Sequence, residues 1–183
     1  LRRVGIHYEL FDVALSIEHS LAQIRRLAAL VGNPEAGEAL VGRIEHAIEA
    51  ARLPAGERRL TAAVYETGGL TAGAKTVTDE LMQIVGLDNV AARYGIQMHA
   101  PMQLELLVAA RPDLLLVGEV PAAAGTQAQR IVQHRVLRKA PGLRWEFPAR
   151  FMYCSGPTII EAATTLARAR DATHSRAHTQ AAR

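Results

Sequence analysis

A glycine-rich loop between a predicted strand and a predicted helix is the first candidate for chemistry in this chain. Over residues 68–76 it has the outline of a loop that cradles phosphate, and it ends in Lys75. Such a loop needs glycine directly before its lysine, and here Ala74 intervenes. Gly118 also follows an apolar run at the position where an Asp would direct Mg²⁺. A degenerate nucleotide-binding enzyme is therefore kept as the alternative, and the favoured interpretation is a turn that allows close backbone approach.

Nucleophiles and metal ligands are sparse. The single cysteine, Cys154, excludes an intramolecular disulfide framework and a cysteine zinc site. Its place before a predicted helix favours a reactive thiolate, whereas a lone cysteine is usually packed and inert; both interpretations stay open. Ser155 lacks the flanking glycines of a nucleophile elbow. The seven histidines show no HxH or HExxH spacing, and His99 is either a cleft residue or an ordinary loop histidine.

Glu105 is the most informative charge, because it lies in the otherwise nearly apolar stretch 102–108. A carboxylate in such a stretch must reach solvent or be paired. The simplest interpretation places it on the solvent-facing side of an amphipathic helix.

The composition limits the class of protein. Of the 183 residues 49% are apolar, which is enough for a sizeable core. The net charge of +3 comes from arginines beyond Leu166, and basic and acidic residues balance before that point, so no basic face for nucleic acid is implied. No apolar run is long enough to span a membrane.

The predicted secondary structure before residues 53–56 differs from that after them. A short strand over 7–11 and two helices, one from Ser16 to Gly32 and one over about 34–52, precede a proline-glycine boundary at 53–56. Strands and helices then alternate, which favours a parallel α/β sheet with ligands at the carboxyl ends of its strands. We predict strands at 60–65, 114–117 and 144–147, helices at 76–85, 88–94, 101–110, 126–138 and from Pro157, and functional loops at 66–75, 118–125 and 148–156.

Several short motifs occur in a fixed order and resemble one family. They are Thr71-Ala72-Gly73, the segment 78–90, the segment 103–107 with 110–116, and Ser155-Gly156-Pro157 followed by 162–167. The series resembles the second lobe of the substrate-binding proteins of ABC importers for cobalamin, ferric siderophores and haem.

The resemblance implies a domain organisation. Residues 1–32 would be a remnant of a first α/β lobe, 33–56 the interlobe helix and linker, 57–170 the second, three-layer ligand-binding lobe, and 171–183 a basic disordered tail. Because the chain opens at Leu1 in what looks like the middle of a fold, we expect part of the first lobe to be missing and ligand binding by this chain to be weak.

The resemblance also implies site residues. Glu105 would dock on the permease, where a carboxylate can pair with an arginine. Arg150 and Tyr153 would suit an anionic ligand or a metal-bound phenolate, although either could pack on the lobe surface. Leu70, where cobalamin-binding relatives carry an aromatic residue, argues against assigning cobalamin. The ligand-binding candidates are Tyr65, Leu70, Thr71, Gly73, His99, Arg150 and Tyr153.

The expected function is binding and delivery without catalysis and without a resident cofactor. The ligand would be a ferric siderophore, haem or cobalamin-type molecule, and the partner an ABC importer permease at the membrane surface. The complete protein would be a periplasmic or otherwise extracytoplasmic monomer that binds no nucleic acid. Besides the nucleotide-binding enzyme, an α/β interaction module that uses Glu105 is left open.

Overall fold

The computed structural model describes residues 8–118 and 142–181. Two helices open it, α1 (Ile17–Leu30) and α2 (Pro34–Ala51). The Ser16 hydroxyl caps α1 by accepting from the His19 amide at 3.0 Å, and Asn33 caps α2 ahead of its first-turn proline. Both predicted helix starts are confirmed.

The remaining elements alternate between strand and helix. The strands are β1 (Leu60–Tyr65), β2 (Leu70–Ala72), β3 (Leu87–Asn89), β4 (His99–Pro101), β5 (Leu114–Val117) and β6 (Leu143–Glu146). The helices are α3 (Val77–Val85), α4 (Val90–Arg93), α5 (Leu104–Ala110), α6 (Ala149–Tyr153) and α7 (Thr158–Ala181).

A four-stranded parallel sheet in the order β3-β1-β5-β6 forms the middle layer. Successive side chains of a strand point to opposite faces, so β1 serves two cores. Leu60, Ala62 and Val64 enter the larger core, to which α2, α3 and α7 also contribute; Ala63 and Tyr65 enter the smaller one with residues of α4 and α5. The predicted three-layer parallel α/β lobe is confirmed.

The amino-terminal helix α1 is attached to this lobe by polar contacts. The Ser20 hydroxyl accepts from the Gly156 amide at 2.8 Å, and the Glu80 carboxylate accepts from the Ile17 amide at 2.7 Å. Helix α1 also lies close to α2, since a Cβ at Gly37 would be only 2.4 Å from the Ala28 Cβ.

Several predicted elements differ from those observed. Residues 8–11, the described part of the predicted first strand, form no strand. The loop 66–75 contains β2, and the loop 148–156 contains α6. The helix predicted over 101–110 begins only at Leu104, because Pro101 is the last residue of β4. The predicted helix 126–138 and most of the loop 118–125 lie outside the described residues.

The carboxyl-terminal segment differs more from its predicted structure than the elements above do. Helix α7 continues to Ala181, although we expected a disordered tail from residue 171. Arg170 is only 4% exposed, and its Nη1 donates to the carbonyls of Ala51 and Val85 at 3.0 Å each. It therefore binds the carboxyl ends of α2 and α3, where a cation complements the helix dipoles. No helix among the described residues is long and apolar enough to cross a membrane.

Candidate ligand-binding site

Strands β1 and β5 end at one edge of the sheet, and Glu66 and Gly118 follow them directly. Glu66 is 5% exposed, and a Cβ at Gly118 would lie 1.9 Å from its Oε2. Glycine at 118 is thus explained by the space that the Glu66 carboxylate occupies. This edge therefore carries a nearly buried carboxyl group, at a residue that was not among the sequence-based candidates.

His99 is held over the same edge by the small antiparallel sheet of β2 and β4, in which it pairs with Ala72. Its Nε2 lies 3.0 Å from the carbonyl oxygen of Met152. Because a carbonyl only accepts, Nε2 carries the proton in this contact, and a neutral ring keeps a lone pair on Nδ1.

Tyr153 lies at the end of α6, beside His99. The two ring centroids are 5.5 Å apart, and the Tyr153 side chain is 51% exposed. Partial burial, and then the negative charge of Glu66, raise the pKa of the Tyr153 phenol. The structure therefore brings together an exposed phenol, a half-buried imidazole and a buried carboxylate at the carboxyl edge.

Arg150 has local partners on the outer side of α6. Its guanidinium lies 4.6 Å from the centroid of the Phe151 ring and 3.0 Å from Glu161 Oε2. The predicted contact between Arg150 and an anionic ligand would compete with this exposed ion pair, which is weak by itself.

Four further candidates lie inside the lobe. Tyr65 is 1% exposed and donates to the Met102 carbonyl at 3.4 Å; burial, and then the charge of Glu105, raise its pKa. The Thr71 hydroxyl donates to the Val64 carbonyl at 2.6 Å, and Leu70 packs against the larger core. Gly73 is needed because a Cβ there would lie 2.2 Å from Ile96 O. Tyr65 and Thr71 are buried and Leu70 is partly exposed, and the ligand contacts expected of these four residues stay predictions.

The glycine-rich loop does not cradle phosphate. The amides of Gly73 and Ala74 donate to the carbonyls of Met98 and Ile96, at 2.8 and 2.9 Å, so they are not available to an anion. The hydroxyl of Thr76 accepts from the Asp79 amide and caps α3. Strand β2 also occupies the middle of the loop, which argues against the nucleotide-binding alternative.

Glu105 is exposed in the first turn of α5, whereas Leu107 of the same helix is buried. Leu106 and Val108, at 36% and 37%, are exposed beside it. No described residue forms an ion pair with Glu105, so this face of α5 presents a carboxylate among exposed aliphatic side chains.

The described residues contain no group of three or more His, Cys, Asp or Glu side chains that could hold a metal ion. The phenol oxygen of Tyr153 and the imidazole nitrogen of His99 are donor atoms of kinds that bind iron.

The sequence and the fold were compared with those of known proteins. A family model described as periplasmic binding protein matches residues 2–144. The periplasmic heme-binding protein RhuT from Roseiflexus sp. RS-1 superposes with a TM-score of 0.76 at 26% identity, over 94% of this chain and 70% of that one. Comparison with curated protein sequences gave no significant match.

Two structures from Vibrio cholerae share the fold at lower identity. The heme-binding protein HutB gives a TM-score of 0.70 at 17% identity, over 91% of this chain and 68% of that one. The vitamin B12 binding protein BtuF gives 0.68 at 15%, over 94% of this chain and 68% of that one.

The fold and the family match together identify a binding protein, not an enzyme. The chain belongs to the periplasmic binding protein family, whose members act outside the cytoplasm.

Proposed function

We propose that this chain provides the ligand-binding lobe of the solute-binding component of an ABC importer, and that its ligand is an iron-centred chelate, haem before the others. The observation that carries the proposal is the pairing of Tyr153 and His99 at the carboxyl edge of the sheet, with their ring centroids 5.5 Å apart.

The chemistry of the pair fits ferric iron. A phenolate oxygen is a known axial ligand of haem iron, and imidazole nitrogen suits iron as well. Tyr153 is half exposed, so a bulky planar ligand can reach its oxygen without unfolding α6. The hydrogen bond from His99 to the Met152 carbonyl fixes the imidazole beside the phenol, as an outer partner fixes a metal-ligating histidine.

The similarity to the heme-binding protein RhuT of Roseiflexus supports haem over the other chelates. A ferric siderophore would use the same phenol or the Arg150 guanidinium. Cobalamin is the least favoured, because Leu70 packs into the larger core and offers no aromatic surface to a corrin ring.

Delivery to a permease is the second part of the proposal. Exposed Glu105 on α5 offers two oxygens to a permease arginine, and exposed Leu106 and Val108 offer apolar contact. Such a pair fixes the register of docking more than it adds affinity.

Absorption titrations of the full chain with haem, ferric siderophore and cyanocobalamin test the ligand. We expect a ferric-phenolate charge-transfer band with haem and an affinity at least about 10-fold lower for Tyr153→Phe, which loses the donor oxygen. Tyr94→Phe is the matched control, because Tyr94 is 46% exposed elsewhere on the lobe. An unchanged haem spectrum and affinity in Tyr153→Phe, or saturable binding of cyanocobalamin alone, would overturn the proposal.

A further inference from the structure

A second cavity lies at the opposite edge of the sheet, where the parallel strands begin. Its volume is about 140 Å³. Arg58 precedes β1, Arg111 precedes β5, and α7 contributes Arg176, so three arginines from distant parts of the sequence line one small space.

All three arginines of this cavity are exposed, so an anion from solvent can reach their guanidinium groups. The side chains of Arg58, Arg111 and Arg176 make no ion pair or hydrogen bond with the part of the chain that the structure describes. Two other arginines of the lobe do form ion pairs: Arg59 with Asp88 at 2.7 Å and Arg170 with Asp171 at 2.8 Å.

The acidic groups near the cavity contact groups other than the three arginines. Asp113 lines it, but its Oδ2 accepts from both the amide and the hydroxyl of Thr61 at 2.8 Å. Glu57, beside Arg58, lies 3.1 Å from the ring of His174. An anion that enters the cavity would therefore meet three guanidinium groups without ion pairs to the described residues, and one carboxylate, that of Asp113.

Arg111 occupies a backbone conformation that favours glycine. It ends α5 with φ of 48°, in the left-handed region, where a side chain is strained and glycine is the usual choice. Folding alone would favour glycine at this position. The arginine keeps a guanidinium in the cavity despite that strain.

We propose that this cavity binds a small tetrahedral oxyanion of the phosphate class. Guanidinium groups donate paired hydrogen bonds that match phosphate oxygens, and three of them can surround one anion. The cavity of about 140 Å³ is open to solvent and has room for one phosphate group. The site is independent of the ligand cleft, because parallel strands separate the two edges.

Calorimetric titration of the full chain with inorganic phosphate, against chloride at equal ionic strength, tests the site. We expect saturable phosphate binding that Arg111→Gly weakens at least about 10-fold while the fold stays intact or gains stability, because the strain is relieved. Arg43→Ala, an exposed arginine on α2, is the matched control and should leave the affinity unchanged.

Vesicle sedimentation distinguishes the source of the phosphate. Binding to vesicles with phosphatidic acid but not to phosphatidylcholine alone, lost in Arg111→Gly, would assign the site to a lipid headgroup; free phosphate binding without vesicle binding would assign it to the soluble anion. The proposal is overturned if neither form binds saturably, or if Arg43→Ala weakens binding as much as Arg111→Gly does.

Discussion

The guanidinium of Arg170 donates to the carbonyl of Ala51 at 3.0 Å, joining residues 119 positions apart at the carboxyl end of α2. The same nitrogen donates to Val85 at the end of α3. One side chain of α7 thus holds the ends of two other helices.

Replacement of Arg170 by Ala should destabilise the lobe by about 3 kcal/mol, because two carbonyl groups lose a charged donor in a buried position. Urea unfolding followed by circular dichroism measures the loss. Arg168→Ala on the exposed side of the same helix should change the free energy of unfolding by less than about 0.5 kcal/mol. Equal effects of the two substitutions would contradict the role given to Arg170.

Two glycines of α2 should respond in opposite directions to alanine. Gly37→Ala would place a Cβ 2.4 Å from Ala28 and should cost about 1–3 kcal/mol by separating α1 from α2. Gly42→Ala meets nothing within 4 Å and should stabilise the helix by about 0.5–1 kcal/mol. Thermal melts of both variants check the pair, and a stabilised Gly37→Ala would show that α1 does not pack as described.

Gly118→Ala should displace the Glu66 carboxylate, since the added Cβ would lie 1.9 Å from Oε2. We expect a destabilisation of about 1–3 kcal/mol. Glu66→Ala removes the clash, so the double variant Glu66→Ala with Gly118→Ala should be more stable than the sum of the single effects. Additive effects in this cycle would count against the observed contact.

The alkaline limit of stability should depend on Tyr65. Burial raises the pKa of its phenol in the folded state, so the folded chain holds this proton more tightly than the unfolded chain. The stabilisation from the protonated phenol is present below the ordinary tyrosine pKa of 10.0 and is lost as pH rises through the higher folded pKa. In Tyr65→Phe the free energy of unfolding should fall less steeply above about pH 10, as measured by urea titrations at pH 8 to 11. A slope identical to that of the parent chain would refute this.

The substitution Glu105→Arg should impair docking on the permease and leave ligand binding unchanged. In the complete protein with its permease, uptake should fall at least about 10-fold, because reversing the charge sets two cations against each other. Haem affinity should be unchanged, since Glu105 lies on α5, away from Tyr153. Uptake assays and absorption titrations on the same variant check both results, and a lost affinity would place Glu105 in the ligand cleft. Glu105→Gln is the milder control.

The sequence predicted those parts of the fold that local patterns determine. The caps at Ser16 and Asn33, the buried strands β1 and β5 and the helix α3 follow from capping residues and from short apolar runs. Strand β4 was not predicted, because its three residues pair only with β2, and no local signal shows such a partner.

The site was predicted less completely, because burial and long-range contacts decide it. His99 and Tyr153 were candidates, but their adjacency depends on how α6 packs beside β4. Glu66 was missed, although a charged residue directly after a buried strand is a signal that could have found it. The contacts of Arg170 were not predicted, because its partners, Ala51 and Val85, are remote in sequence.

The hydrogen bond between Ser20 and the Gly156 amide connects the turn after Tyr153 to α1. The end of α6 and the first helix of the described chain therefore share one buried contact, and removing the Ser20 hydroxyl would leave the Gly156 amide without its acceptor.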